Sequence, residues 1–155
     1  MKVLIAERKD TTTLREDRTT FSEAIKQGTI FVLAAPLDES TRDMISNPEF
    51  SNMNPSALLV NIGRGGVVNE LALIEALRKG QIAGAATDVF ENEPATKENC
   101  PLLDPTIPNL ILSPHTAWYS ERTVTGTIAT VKANLEAFAA GKPQNLVLDC
   151  GRDCL

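Results

Sequence analysis

Five short apolar runs constrain what this chain can fold into more than any other feature. They span residues 3–6, 30–35, 57–62, 82–86 and 110–112. Each has strand length, and none alternates cleanly with polar residues. That is the pattern of strands buried on both faces of a parallel sheet. Helical patterns separate the runs. Thr20 and Glu23 form a capping-box pair, with Gly28 as the stop. Ser46-Asn47-Pro48 supplies a cap and a first-turn proline. Asn69 caps a helix whose apolar positions Leu71, Ile74 and Leu77 recur every third residue, and Gly80 follows its end. Arg78 and Lys79 in the last turn suit the helix dipole. A longer helix is predicted over 120–140, where Val124, Ile128, Val131, Leu135 and Phe138 form one stripe. Gly126 costs that helix roughly 1 kcal/mol relative to Ala, and Gly141 and Pro143 end it. Segments 8–19 and 91–108 read as long irregular loops, which often carry function. Alternating strands and helices predict an α/β doubly wound parallel sheet.

Composition narrows the function. Apolar residues make up 43% and charged residues 23% of the 155 residues, enough for a core. The net charge is -5 and there is no basic run, which argues against a nucleic-acid partner. No apolar stretch reaches the ~18 residues of a membrane span, and Glu7 interrupts the N-terminal run too early for a signal peptide. A cytoplasmic, reducing setting is the expectation. The odd count of three cysteines, Cys100, Cys150 and Cys154, fits it. Cys150 and Cys154 have no clustered partner ligands, so no metal site is expected.

In open α/β sheets, ligands bind beyond the carboxyl ends of the strands. Glu7 follows the first run, Pro36-Leu37 the second, and Gly63-Arg64-Gly65-Gly66 the third. Thr87, Asp88 and slightly later Glu93 follow the fourth, and Pro114-His115 the fifth. An arginine, several carboxylates and the one histidine are thus expected along a single sheet edge. A lone histidine is most often structural, a loop carboxylate most often solvated, and an arginine among glycines most often a turn residue. Their convergence raises the functional reading. Imidazole moves protons near neutral pH. A guanidinium grips a carboxylate through two parallel hydrogen bonds. A carboxylate beside a histidine fixes its tautomer and favours the protonated ring.

Three segments together carry a resemblance: Val60-Asn61-Ile62-Gly63-Arg64-Gly65-Gly66-Val67-Val68, Asp88-Val89-Phe90-Glu91-Asn92-Glu93-Pro94 and Ser113-Pro114-His115-Thr116-Ala117-Trp118. In order and separation they resemble the signatures of the D-isomer-specific 2-hydroxyacid dehydrogenases. Pro36-Leu37 with Thr41, and the tail from Asn134 to Val147, add to it. The resemblance implies a truncated NAD-binding domain over residues 1–149, a Rossmann-like sheet, and an unassigned tail over 150–155. It implies that Arg64 binds the substrate carboxylate and polarises the carbonyl, that His115 exchanges the proton, and that Glu93 hydrogen-bonds His115. It further implies that Asp88 takes the nicotinamide carboxamide and that Ala35, Pro36, Ile62, Gly63, Arg64 and His115 line the cofactor. Glu7 would accept the adenosine ribose hydroxyls, which favours NAD. Arg8 and Lys9 follow at once and leave NADP open. Trp118 would shape the pocket for a small 2-keto or 2-hydroxy acid.

The sequence departs from that family in one respect. It contains no G-x-G-x-x-G, the loop that holds the pyrophosphate at a helix N-terminus. Met1-Lys2-Val3-Leu4 reads as the start of the second strand of such a domain. The expectation is a partial sheet without its first strand, weak NAD binding by the chain alone, and exposed apolar edges. Those edges would drive association with another copy or with a full-length relative. A non-enzymatic reading, a binding or regulatory module like the corepressors that share the fold, stands beside the dehydrogenase reading. A hydrolase ranks last, because no G-x-S-x-G elbow is present.

Overall fold

The computed structural model describes residues 2–146. The chain divides into two units, 1–116 and 117–155, where the sequence predicts a single span over 1–149. The predicted tail over 150–155, with Cys150 and Cys154, lies outside the described residues.

The first unit is built in the order α1 (Phe21–Gln27), β1 (Ile30–Leu33), α2 (Asn47–Phe50), β2 (Leu58–Asn61), α3 (Glu70–Arg78), β3 (Gly84–Thr87) and β4 (Leu110–Leu112). All four strands run parallel, in the order β1-β2-β3-β4. Helix starts follow local chemistry. The Thr20 hydroxyl accepts from the Glu23 amide at α1, and the Asn69 side chain accepts from the Ala72 amide at α3. Glu49 reaches back to the Ser46 amide at α2. The loop over 91–108 contains one 3-10 turn, Pro101–Leu103, that the sequence did not announce.

Period-two geometry sends alternate strand residues to opposite faces. Phe31, Leu33, Leu59, Ala85, Leu110 and Leu112 share one face and join a core with Ile25 of α1, Phe50 of α2 and Leu73, Ile74 and Leu77 of α3. The other face corrects an expectation. Ile30, Val32, Leu58 and Ile111 stay exposed, Val32 at 59% and Ile111 at 71%. The strands are therefore not buried on both faces. Continuous apolar runs record an affinity for cover, and only one face has it among the described residues.

The first run is also corrected. Residues 3–6 form no strand of the sheet. Ala6 makes a single parallel bridge to Thr19, through Glu7 N–H to the Thr19 carbonyl at 2.8 Å and Thr19 N–H to the Ile5 carbonyl at 2.9 Å. Val3 and Ile5 remain exposed. An apolar run supplies strand propensity, but a ladder needs a neighbour along its whole length.

In the second unit, α4 (Glu121–Ala139) matches the predicted helix. Ser120 accepts from the Thr123 amide at its start. Ile128, Val131, Leu135 and Phe138 of its apolar stripe are exposed.

Candidate active site

The carboxyl ends of β1 to β4 bring the singled-out residues of the first unit to one edge. The sharp turn after β2 is organised by Asn61, a buried amide at the strand's last position. Its Oδ1 accepts from the Gly63 amide, and its Nδ2 donates to the Arg64 carbonyl, both at 3.1 Å. Two glycines let this turn press against neighbouring backbone. A Cβ at Gly63 would lie 2.7 Å from the Ala35 carbonyl oxygen, and one at Gly65 would lie 1.7 Å from that of Phe90. Ile62, just before Gly63, is exposed. The glycine cluster thus draws the Arg64 turn against both the β1 exit at Ala35-Pro36 and the loop after β3. Arg64 is exposed, and its guanidinium donates to the Gly63 carbonyl at 2.7 Å.

Asp88, buried at the end of β3, ties that loop to the β4 exit. Its Oδ1 accepts from the Ser113 hydroxyl at 2.5 Å and from the Thr116 amide at 2.9 Å. Further along, the Phe90 amide donates to Glu93 at 2.9 Å, and the Glu91 amide donates to Glu70 of α3 at 2.8 Å. Burial pushes the Glu70 carboxyl up, against the lowering effect of that amide. The result is a braced loop with Glu93 at its tip.

Glu93 meets the histidine there. The distance from His115 Nδ1 to Glu93 Oε2 is 2.7 Å, with the two side chains 38% and 34% exposed. A carboxylate can only accept, so Nδ1 carries the proton in this pair. That assigns proton exchange with a ligand to Nε2. Partial burial pushes the Glu93 carboxyl up. The hydrogen bonds from His115 and the Phe90 amide, with the charges of His115 and Arg64, outweigh it and hold the pKa below the ordinary value. His115 itself sits at φ 54°, a left-handed backbone conformation uncommon for a side chain of its size. Such a set can bind an anion through Arg64 and pass a proton through His115.

Glu7 is buried, 5% exposed, and is bound by Arg15. Trp118 belongs to the second unit, where its ring meets Tyr119 edge-on at 5.4 Å. Asn61, Glu70, Ser113 and Arg15 were missed by sequence reading. An asparagine closing an apolar run before a glycine cluster was the one available signal.

A parallel sheet thus carries an arginine, a glutamate–histidine pair and a buried aspartate along its carboxyl edge. Residues 1–117 match the family described as D-isomer specific 2-hydroxyacid dehydrogenase, NAD binding domain, and the chain belongs to that family. A Haemophilus influenzae protein named as a 2-hydroxyacid dehydrogenase is 47% identical over 139 residues, 89% of this chain and 44% of that protein. Glycerate dehydrogenase of Methylorubrum extorquens is 42% identical over 79% of this chain and 39% of its own length. Among solved structures, D-lactate dehydrogenase with NAD+ from Lactobacillus jensenii superposes with a TM-score of 0.79 at 28% identity, covering 95% of this chain and 48% of that one. The chain therefore spans less than half the length of these relatives. No helix among the described residues is long and apolar enough to cross a membrane.

Proposed function

We propose that this chain carries the catalytic side chains of an NAD-dependent oxidoreductase that interconverts a small 2-keto acid and its D-2-hydroxy acid. The observation that carries the reading is the His115 Nδ1 to Glu93 Oε2 contact of 2.7 Å, on the same edge as Arg64. In this reading the Arg64 guanidinium holds the substrate carboxylate and draws charge from its carbonyl oxygen. His115 Nε2 gives a proton to that oxygen in reduction and takes it back in oxidation. Glu93 keeps the ring oriented, with Nδ1 directed to its carboxylate.

The residues present fit a nicotinamide cofactor. Gly63 has no Cβ and lies against the Ala35 backbone, so the ends of β1 and β2 close together beside the exposed side chains of Pro36 and Ile62, an apolar edge suited to a flat ring. Asp88, buried at the neighbouring strand end, holds the Ser113 hydroxyl and the Thr116 amide through Oδ1 and so fixes the β4 exit beside this edge. The loop that starts at Glu7 marks the adenosine end. When bound, the cofactor supplies or accepts the hydride, and the protein contributes orientation and charge.

The test replaces the homologous segment of the Methylorubrum extorquens glycerate dehydrogenase with residues 1–146 of this chain. NADH-dependent reduction of glyoxylate, hydroxypyruvate and pyruvate is then followed, and the hydroxypyruvate product is resolved by chiral chromatography. Turnover giving D-glycerate supports the reading. Cofactor binding without turnover of any of the three acids contradicts it and favours a non-catalytic binding module.

A further inference from the structure

The family resemblance implies that Glu7 meets the adenosine ribose, and its surroundings are unlike those of a ribose acceptor. A carboxylate has about four lone-pair sites. Four hydrogen bonds from the protein occupy those of Glu7. The Arg8 amide at 2.9 Å and Arg15 Nη2 at 2.6 Å reach Oε1. Arg15 Nε at 2.8 Å and the Arg15 amide at 3.3 Å reach Oε2. The Glu7 side chain is only 4% exposed, while that of Arg15 is 56% exposed. Little of the carboxylate remains to receive a hydroxyl, and its charge is matched by the guanidinium fork.

The same loop borders a cleft of about 430 Å³. Arg8, Thr11, Thr12, Thr13 and Ser22 line it, offering a guanidinium and four hydroxyls. The carboxylates on its wall are Glu7, Glu49 and Asp10. Two of the three are already in ion pairs, Glu7 with Arg15 and Glu49 with Lys9 at 2.8 Å. Lys9 is thereby committed to Glu49 and to the Met44 carbonyl. Arg8 is exposed, with no ion pair for its guanidinium among those found in the described residues. Asp10 is the one carboxylate that opposes it.

We propose that Arg15 is a specificity-determining residue, which occupies Glu7 and so leaves the adenosine end, faced by Arg8, open to a ribose 2′-phosphate. A carboxylate turned toward the ribose rejects that phosphate by repulsion, whereas an arginine nearby accommodates it. Here the repelling group is internally neutralised. The chain is then expected to take 2′-phosphorylated adenine nucleotides at least as well as unphosphorylated ones. The inference rests on the reading of this edge as a nucleotide site, and its test separates the two.

The probes are 2′,5′-ADP and 5′-ADP, titrated into the isotope-labelled chain and followed by amide NMR. The expected result is that residues 7–13 shift with both probes and that 2′,5′-ADP binds at least as tightly. Arg8→Ala should remove about tenfold of the 2′,5′-ADP affinity, the size of one charge-assisted hydrogen bond, and leave 5′-ADP binding unchanged. Arg15→Ala should turn the preference toward 5′-ADP, and Arg15→Lys should partly restore the original order. In the same variants the Glu7 carboxyl carbon reports the clamp independently. Its pKa of about 2 in the parent chain, set first by the Arg15 side-chain hydrogen bonds, should rise in Arg15→Ala. Amides of α3 serve as the check that the fold is retained. Binding of 5′-ADP at residues 7–13 with 2′,5′-ADP tenfold weaker would overturn the proposal and leave the nucleotide site standing. No shift at residues 7–13 with either probe would overturn both.

Discussion

At the scale of single residues, one contact organises the site. Glu93 Oε2 and His115 Nδ1 are 2.7 Å apart, and the chain holds one histidine. Its imidazole nitrogens are therefore the sole pair of their kind in a nitrogen NMR spectrum. With the ring neutral, Nδ1 is predicted to carry the proton. Glu93→Ala is predicted to shift the population toward the Nε2-protonated form. A parent chain already dominated by the Nε2–H tautomer would exclude the pairing. The second residue-scale prediction concerns acid. The folded pKa of Glu7, about 2, lies below the ordinary value of 4.5. A depressed carboxyl contributes stability above its unfolded pKa and loses it as pH falls through the folded pKa. The difference in urea midpoint between the parent chain and Arg15→Ala should thus be full at pH above 5 and shrink steadily toward pH 2. A difference independent of pH would show that the pair adds nothing. Arg64, Glu93 and His115 were legible in the sequence because motif order carried them. Arg15, Asn61, Glu70 and Ser113 were not. Ser113 meets Asp88, and Glu70 the Glu91 amide, only once strands and helices have been assembled. A hydrogen-bond partner distant in sequence leaves no local trace.

Elements divide by whether their signals are local. Thr20 and Asn69 each cap the helix that follows, as the sequence predicts, because a cap bonds an amide two or three residues away. Strand runs depend on what lies beside them. The three residues 110–112 form a true strand against β3, while the four residues 3–6 reach only one bridge. The assumption of two buried faces failed for the same reason, since burial belongs to a neighbour and not to the run itself. The clearest element-scale prediction is at α3, whose Leu73, Ile74 and Leu77 enter the core. Asn69→Ala removes the acceptor for the Ala72 amide and is predicted to destabilise the fold by about 1 kcal/mol in urea unfolding. No measurable change would mean that packing alone sets the helix start.

For the whole molecule, family membership rests on residues 1–117, and Arg64, Glu93 and His115 fall inside them. The relatives matched are more than twice as long as the shared region. The order of strands along the sheet follows the order along the chain. That is why residues spread from 64 to 115 in sequence reach one edge. The central claim is that Arg64 acts on the substrate carboxylate and His115 on the proton. Steady-state reduction of glyoxylate by the Methylorubrum extorquens chimaera, with Arg64→Ala and His115→Ala compared with the parent, tests it most directly. His115→Ala is expected to lower kcat by about 100-fold or more, and Arg64→Ala to raise KM for the keto acid as well as lower kcat. Parent-like kcat in His115→Ala, or an unchanged KM and kcat in Arg64→Ala, would contradict it.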